Sequence, residues 1–450
     1  MAERTHGKNG MRDLLLITFH FPPSDAIGAM RARGLAKYLG EFGWNVTVLT
    51  PEHPLRLDAP HVVETGYRDV IGEWKRRIGL RPEGGLQAQL GTRRESTVAA
   101  PDKLTRMLQA AKSLLTFPDE KRGWISPARL RLSELRRTHT FDAVLSTAHP
   151  ISAHAIGAVA KREFQCSWIA DFRDLWVQNS NNPNPAFLRP LERWIERRIL
   201  QHADSLVTVS EPLAATLRHG YPRKRVDTIL NGFDPEDFAL PQPQPESEFT
   251  IVYAGQLYEG KRDPSPLLRA IAELKRRSLL QLGEIRLRFY GPPETWVVHT
   301  ASRLGIGEIV SFEGVVPRRV AIARQRRAHV LLSVGWNGAD SAGVYTGKIF
   351  EYLASGRPIL HIGGDPGVLT ELLRKTQAGV HPGSDEELSG WLLERIREWR
   401  TTGGVTYAGK AEEISAYSQY RMAEEFSVLL NQLACRTQAD VAPASMAKAG

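Results

Sequence analysis

The residues best placed to do chemistry lie in one stretch, Gly343-Val344-Tyr345-Thr346-Gly347-Lys348-Ile349-Phe350-Glu351-Tyr352-Leu353-Ala354-Ser355-Gly356-Arg357-Pro358. Gly356 and Pro358 are stop signals and predict a short helix from Lys348 to Ser355. An apolar run, Ile359-Leu360-His361-Ile362, follows as a strand. A glycine-bearing turn that opens a helix gathers unpaired backbone N–H groups and the positive end of the helix dipole, which suits a phosphate. Lys348 adds a mobile cation there. Glu351, one turn further on, can accept hydrogen bonds from a pair of sugar hydroxyls.

Such a loop must be positioned by a scaffold, and the chain supplies two. At 450 residues it exceeds what one core holds, which predicts two domains. The first opens with the buried-strand run Leu14-Leu15-Leu16-Ile17-Thr18, then a loop from His20 to Gly28. A helix from Ala29 to Phe42 ends at Gly43, and a second strand runs Val46 to Leu49. That β-loop-α-β order implies a parallel sheet with ligand sites at the carboxyl ends of its strands. Further strands are predicted at Ala143–Ser146, Ser167–Ala170 and Ser205–Val209, with a helix strongly charged on one side between Pro190 and Gln201. Composition then shifts at the proline-rich connector Pro241 to Glu248.

Alternation restarts beyond it. Strands are predicted at Thr250–Ala254, Arg286–Tyr290, Ile309–Phe312 and Val330–Ser333, and helices at Ser265–Arg277 and Arg318–Arg327. The fold class expected is therefore α/β with two doubly wound Rossmann-like domains facing across a cleft. Their spans are 1–240, with a basic insertion at 68–137, and 248–400. A long helix, Asp385 to Arg400, is followed by one from Ala408 to Leu433, within a segment 401–433 expected to pack back on the first domain. The small-residue tail 436–450 is expected to be disordered.

Composition narrows the function classes. Hydrophobic content of 42% and charge of 24% belong to an ordinary globular protein. No apolar run nears the roughly 20 residues of a membrane helix, and Met1 to Arg12 has no signal-peptide hydrophobic region. Two distant cysteines, Cys166 and Cys435, fit a reduced cytoplasmic setting. Between Arg68 and Arg137, sixteen Lys/Arg face eight acids, so nearly all of the net +9 sits in one insertion. Trp74, Ile78, Leu80, Leu104, Met107, Leu108, Leu114, Leu115 and Phe117 make parts of it amphipathic. It reads either as a solvated basic face or as a docking surface for an anionic membrane. No nucleic-acid motif accompanies the charge.

Three loops of the second domain lie at strand ends: Gly255-Gln256-Leu257-Tyr258-Glu259-Gly260-Lys261, Tyr290-Gly291-Pro292, and the stretch from Tyr345. Gly255 permits close backbone approach, and Lys261 can reach a diphosphate. In the first domain His149 stands at the end of the strand Ala143–Ser146, and His154 starts the next helix. Asp171, Arg173 and Asp174 end the strand Ser167–Ala170; they read equally as an Arg173-centred salt-bridge knot or as acceptor-binding groups. His20 is a lesser candidate, and Asp25 reads as a turn cap.

From Leu14 to Leu433 the chain resembles the GT-B fold retaining glycosyltransferases of family 4, the bacterial glycosyltransferase group 1. The resemblance rests on Phe21-Pro22-Pro23 through Gly28 into Leu35-Ala36-Lys37-Tyr38-Leu39, and on Phe117-Pro118-Asp119 with Gly123-Trp124. It rests further on Asp171 to Trp176, Asn231-Gly232-Phe233-Asp234, Gly255 to Lys261, and Tyr345 to Pro358. It implies transfer of a sugar from a nucleoside diphosphate to an acceptor hydroxyl with retained configuration; no Asp-x-Asp motif follows a strand, so neither metal nor other cofactor is expected. In that reading Gly255, Gln256, Lys261 and Gly291 line the donor site. The backbone of Tyr345, Thr346, Gly347, Lys348 and Ile349 cradles the diphosphate or sugar, and Glu351 holds the ribose. Gly28 approaches the donor phosphates across the cleft, and His149, Lys261 and Lys348 are the catalytic candidates. Asn231 and Asp234 lead toward the hinge. Two positions depart from the family pattern. Gly343 stands where its E-x7-E motif carries the first glutamate, and Gln256 where many relatives carry an arginine.

A saccharide or lipid-linked acceptor at the cytoplasmic membrane face fits the basic insertion, cell-surface polysaccharide or glycolipid assembly is the leading expectation, and a soluble small-molecule aglycone stays open. Two alternatives share the architecture: a nucleotide-sugar 2-epimerase, and a non-catalytic nucleotide-sugar-binding partner protein.

Overall fold

The structure, a computed structural model, describes residues 10–24, 27–55, 61–77, 117–179, 182, 184–338 and 341–446. The chain forms two compact units, one of residues 1–229 with 423–450, the other of 230–422, so it passes twice between them.

The first unit holds a seven-stranded parallel sheet. Its strands are β1 (Arg12–Thr18), β2 (Trp44–Pro51), β3 (Val62–Thr65), β4 (Ala143–Ala148), β5 (Ser167–Phe172), β6 (Ser205–Thr208) and β7 (Arg225–Thr228). Their order is β3-β2-β1-β4-β5-β6-β7. Register is set by apolar runs buried on both faces: Leu14 lies beside Val46 on one side and Ala143 on the other. Trp124, Trp168 and Phe172 fill the core between this sheet and its helices.

The second unit repeats the plan with six parallel strands: β8 (Phe249–Ala254), β9 (Ile285–Tyr290), β10 (Val310–Phe312), β11 (Val330–Val334), β12 (Ile359–Ile362) and β13 (Gly379–Val380), ordered β10-β9-β8-β11-β12-β13. Phe249, Ile251, Leu287 and Leu332 are fully buried at its centre. Truncating one such leucine to alanine costs about 2–5 kcal/mol. In both sheets the chain reverses its direction of build beside the first strand, between β1 and β4 and between β8 and β11. Loops on either side of that point diverge and leave room for a ligand.

Several expectations change in detail. The helix predicted to run to Phe42 ends at Tyr38 and closes with a 3-10 turn, Leu39–Phe42, stopped by Gly43 in the left-handed region. The proline-rich connector is not a free linker. Arg326 donates to the carbonyls of Leu240 and Pro241, Arg357 to that of Pro243, and the Gln242 amide to those of Arg326 and Ser355. Proline leaves carbonyls without a matching donor, and these arginines take them. The helix expected over 408–433 divides into Ala411–Ser415 and Gln419–Met446. Its last turns cover the tail expected to be disordered, where alanine supports helix. The split lets Phe233 pair with the turn: its N–H donates to the Tyr417 carbonyl at 3.0 Å, and Gln419 N–H returns a bond to its carbonyl at 2.7 Å. Most of the basic insertion, with Ile78 to Leu115, and Asp25 lie outside the described residues.

Candidate functional site

The second unit's site grows from the end of β8. Gly255 follows directly and takes φ +129°, a conformation open to glycine and strained for side chains. Its N–H donates to the Tyr290 carbonyl at 2.7 Å, which draws the loop after β8 against the loop after β9. A Cβ on Gly291 would strike the Gly255 carbonyl, and a Cβ on Gly255 would strike the amino group of Lys348. The three glycine and lysine positions singled out from sequence therefore meet at one point.

Lys348 begins the helix Lys348–Ala354, which at seven residues is one shorter than expected and has no side-chain cap at Gly347. Its Nζ lies 4.1 Å from the centroid of the Tyr253 ring. Burial, and next the charge of Arg262, push its pKa down to about 7, with Glu351 pulling the other way. Beside it the Thr346 hydroxyl is buried with no hydrogen-bond partner among the described residues. Tyr345 packs against Phe350 at 5.7 Å, and Ile349 is fully buried, so both serve the core while their backbone forms the loop.

Lys261 and its neighbour Arg262 converge on an indole that sequence reasoning missed. Trp336, two residues past β11, has Lys261 Nζ 5.0 Å and Arg262 Cζ 5.2 Å from its ring centroid, with Tyr258 edge-on at 5.6 Å. The Asn337 N–H fastens the two loops through the Lys261 carbonyl at 2.7 Å. Arg262 donates to the Gln256 carbonyl at 3.3 Å, which the Tyr253 hydroxyl also reaches at 2.9 Å. Gln256 thus takes part through its backbone, and its side chain is exposed. Arg262 Nε is buried without a partner among the described residues. Arg262, immediately after Lys261, supplies an arginine to the same loop in which Gln256 replaces one.

Glu351 is not idle. Its Oε1 accepts from Arg318 Nε at 2.7 Å, and Arg318 Nη1 reaches Asp237 Oδ2 at 2.7 Å. Both members of the Arg318–Glu351 pair keep about a fifth of their side-chain surface accessible, 19% each. Gly343, where a first glutamate was missing, sits in a 3-10 turn, Ser341–Gly343.

In the first unit the equivalent strand ends are organised differently. Arg173 donates from Nε to the Ala148 carbonyl at 2.8 Å and from Nη2 to that of His149 at 3.0 Å, and its guanidinium fills the space a Cβ on Gly28 would need. Gly28, His149 and Arg173 therefore share one place. Asp171 does not: it is fully buried and takes a two-pronged bond from Arg31, Nε and Nη2 both at 2.8 Å, while Arg31 Nη2 also donates to the Ile229 carbonyl. The knot expected at Arg173 forms at Arg31, and Asp174 is exposed.

His154 is a packing residue, its Nδ1 2.8 Å from the Ser146 hydroxyl and its ring 4.5 Å from Phe172. Burial lowers the pKa of His149, and takes His154 down to about 3 and His20 to about 4. Asp119, from the Phe117-Pro118-Asp119 phrase, accepts from the N–H and hydroxyl of Ser152 at 2.6 and 2.9 Å and so starts the helix Ser152–Phe164.

Residues 28–237 match the family described as Glycosyltransferase Family 4. Among solved structures, sucrose-phosphate synthase from Thermosynechococcus elongatus is similar over 94% of this chain and 99% of its own, with TM-score 0.58 and 15% identity. A glycosyltransferase from Rickettsia africae covers 94% and 98% with TM-score 0.55 and 12% identity. The pneumococcal O-GlcNAc transferase GtfA, solved with UDP and GlcNAc, covers 94% and 99% with TM-score 0.55 and 10% identity. At these identities the likeness is one of fold, and the fold is GT-B. No curated protein sequence matches the chain significantly.

Proposed function

We propose that this chain is a retaining glycosyltransferase that uses a nucleoside-diphosphate sugar, with the donor held by the second unit. The observation that carries the reading is the meeting of Lys348 with Gly255 and Gly291 beside the switch point of the β8–β11 sheet. The GtfA structure, with UDP and GlcNAc bound, supports a donor of this class. A diphosphate seated there meets Lys348, with Lys261 and Arg262 on the adjoining loop and, within the same turn, a Thr346 hydroxyl that has no partner among the described residues. An anion restores to Lys348 the charge that burial discourages, and the same cations stabilise the negative charge that grows on the departing diphosphate. Glu351 takes the ribose hydroxyls.

Transfer then needs no metal clamp and no covalent enzyme intermediate. The acceptor oxygen bonds to the anomeric carbon on the face the diphosphate leaves, the bond from that carbon to the phosphate oxygen breaks, and the hydroxyl proton passes to that phosphate oxygen. In the first unit His149 stays the candidate for the reaction, its carbonyl accepting from Arg173 Nη2 at 3.0 Å. The acceptor class that best fits is a lipid-linked saccharide in polysaccharide or glycolipid assembly.

A thermal-shift series with nucleoside diphosphates and their sugars tests the donor site. A ligand at 100 times its Kd adds about 2.7 kcal/mol to stability, and K348M should cut that to less than about 1 kcal/mol. If no nucleotide raises the melting temperature of the wild-type protein, the reading fails. Mass spectrometry of the products then separates transfer from epimerisation.

A further inference from the structure

The helix Arg189–Leu200 contradicts the usual division of residues between core and solvent. Sequence pattern predicted charge on one side; the structure puts charge on both. Inward, Glu192 is 0% and Glu196 2% exposed. Glu192 accepts from the Asn182 and Asn184 amides at 3.0 and 2.6 Å. Glu196 accepts from Val177 N–H at 3.3 Å and the Gln178 amide at 3.2 Å. The helix needs its apolar residues Leu200, Ile195 and Ile199 for the core, and these face it. Three others do not: Phe187 just before it is 66% exposed, Leu191 41% and Trp194 59%.

A spacing of three puts Leu191 and Trp194 on one stripe of the helix, Arg198 continues it four residues on, and Phe187 is exposed in the 3-10 turn, Ala186–Leu188, that leads into it. Arg198 lies 5.9 Å from the Trp194 ring centroid, and Arg193 and Arg197 are exposed beside it. No acid of this helix is exposed, since both its glutamates are spent inside. Single exposed apolar residues are ordinary, but a contiguous aromatic and aliphatic stripe edged by arginines marks an interaction surface.

We propose that the Phe187–Leu191–Trp194 stripe docks on an anionic lipid bilayer, with Arg193, Arg197 and Arg198 on the headgroup phosphates. Charge selects this occupant. A second copy of the chain would bring the same arginines against these. The stretch 78–116, the other amphipathic part of the chain, carries six Lys/Arg against three acids and would repel them too. A bilayer surface supplies negative charge to the arginines and an apolar boundary into which tryptophan, phenylalanine and leucine settle. The helix also ties the docking surface to the first unit's strand ends: its inner Glu196 clamps Val177 and Gln178, a few residues beyond Asp171–Asp174. The surface is independent of the donor site, so lipid binding and nucleotide binding can fail separately.

The test is flotation of the full chain with vesicles of phosphatidylcholine alone and with about a third phosphatidylglycerol. The protein is expected to float with the anionic vesicles only. F187S/L191S/W194S should weaken that binding about tenfold or more. R193Q/R197Q/R198Q should weaken it about fivefold per arginine, on the order of a hundredfold together, and added salt should do the same to the wild type. All six positions are exposed, so melting temperatures and nucleotide-induced shifts should stay unchanged, which shows that loss of flotation is not loss of fold. Three results would overturn the proposal: no flotation with anionic vesicles, equal flotation with neutral ones, or flotation that survives both triple variants. A concentration-dependent dimer in sedimentation velocity that W194S abolishes would assign the stripe to a second copy instead.

Discussion

The two units carry the same sheet plan and reverse it at the same place, yet they treat the charged groups at their strand ends differently. In the first unit, the charged groups find partners within the protein: Arg31 closes on Asp171, Arg173 on two carbonyls, Asp119 on Ser152, while the Thr147 and Thr208 hydroxyls and His149 Nδ1 are buried without partners among the described residues. In the second, Lys348 is pressed against an aromatic ring at a pKa of about 7, and Thr346 and the Nε of Arg262 lack partners among the described residues. A polar atom buried without a partner costs free energy comparable to a lost hydrogen bond. Unmet cations and hydroxyls gathered at a switch point are what an anionic ligand completes. One set of strand ends settles its charges internally; the other leaves its cations for a ligand.

The comparison predicts that the same kind of substitution unfolds one unit and only empties the other. Asp171→Ala leaves Arg31 buried without its carboxylate and should cost about 3–5 kcal/mol in urea unfolding, with no specific effect on nucleotide affinity beyond it. The double change R31M/D171L should recover most of that loss, because the buried pair contributes little net over apolar groups of similar size. If Asp171→Ala is as stable as the wild type, the description of the first unit's charges as internally paired is broken.

Lys348→Met should do the reverse. The fold gains slightly, while nucleoside-diphosphate affinity drops by about 2–3 kcal/mol in calorimetry, the weight of a hydrogen bond to a charged group. The pH dependence follows from the same residue. Its folded pKa of about 7 lies below that of an unfolded lysine, so from about pH 7 upward the unfolded chain holds the proton more tightly and stability rises with pH. K348M should flatten that rise. Nucleotide binding near pH 8 should take up protons as Lys348 recharges, seen as a dependence of binding heat on the buffer, and K348M should remove it.

Glycine substitutions sharpen the contrast further. Gly255→Ala must hold φ +129° and displace the Lys348 amino group, which should cost about 1–3 kcal/mol of stability and at least tenfold in nucleotide affinity. Gly28→Ala meets only the movable end of Arg173. Its stability cost should be the smaller.

What was legible beforehand follows the same physical line. Strands buried on both faces, such as Leu14–Thr18 and Thr250–Ala254, announce themselves as unbroken apolar runs. The edge strands β3, β7 and β13 did not, because Arg225-Val226-Asp227-Thr228 or a two-residue Gly379-Val380 carries no such run. In the site, Lys348, Gly255, Gly291 and Glu351 stood out as glycines, a lysine and an acid at strand and helix ends. Trp336 and Arg318 did not: they enter through strand order and a contact 33 residues distant in sequence, neither of which is local. The outward Phe187–Trp194 stripe was hidden for a related reason. Periodicity shows two faces of a helix, and only packing shows which face the glutamates take.

Arg318 provides the finest division of the second unit. Its ion pair occupies Oε1 of Glu351 and leaves Oε2 for a ribose hydroxyl, and its second bond, to Asp237, fixes the guanidinium from the far side. Removing it in Arg318→Gln frees the carboxylate to swing without removing the carboxylate itself. The expected loss is about 1 kcal/mol in nucleoside-diphosphate affinity, the ordinary worth of one hydrogen bond, and so below that of K348M. The loss should disappear with a 2′,3′-dideoxy nucleotide, which has no hydroxyls for Glu351 to hold, while the K348M loss should persist with it. Equal losses on both nucleotides would mean that Arg318 acts on the phosphates or on the fold, and that Glu351 needs no positioning.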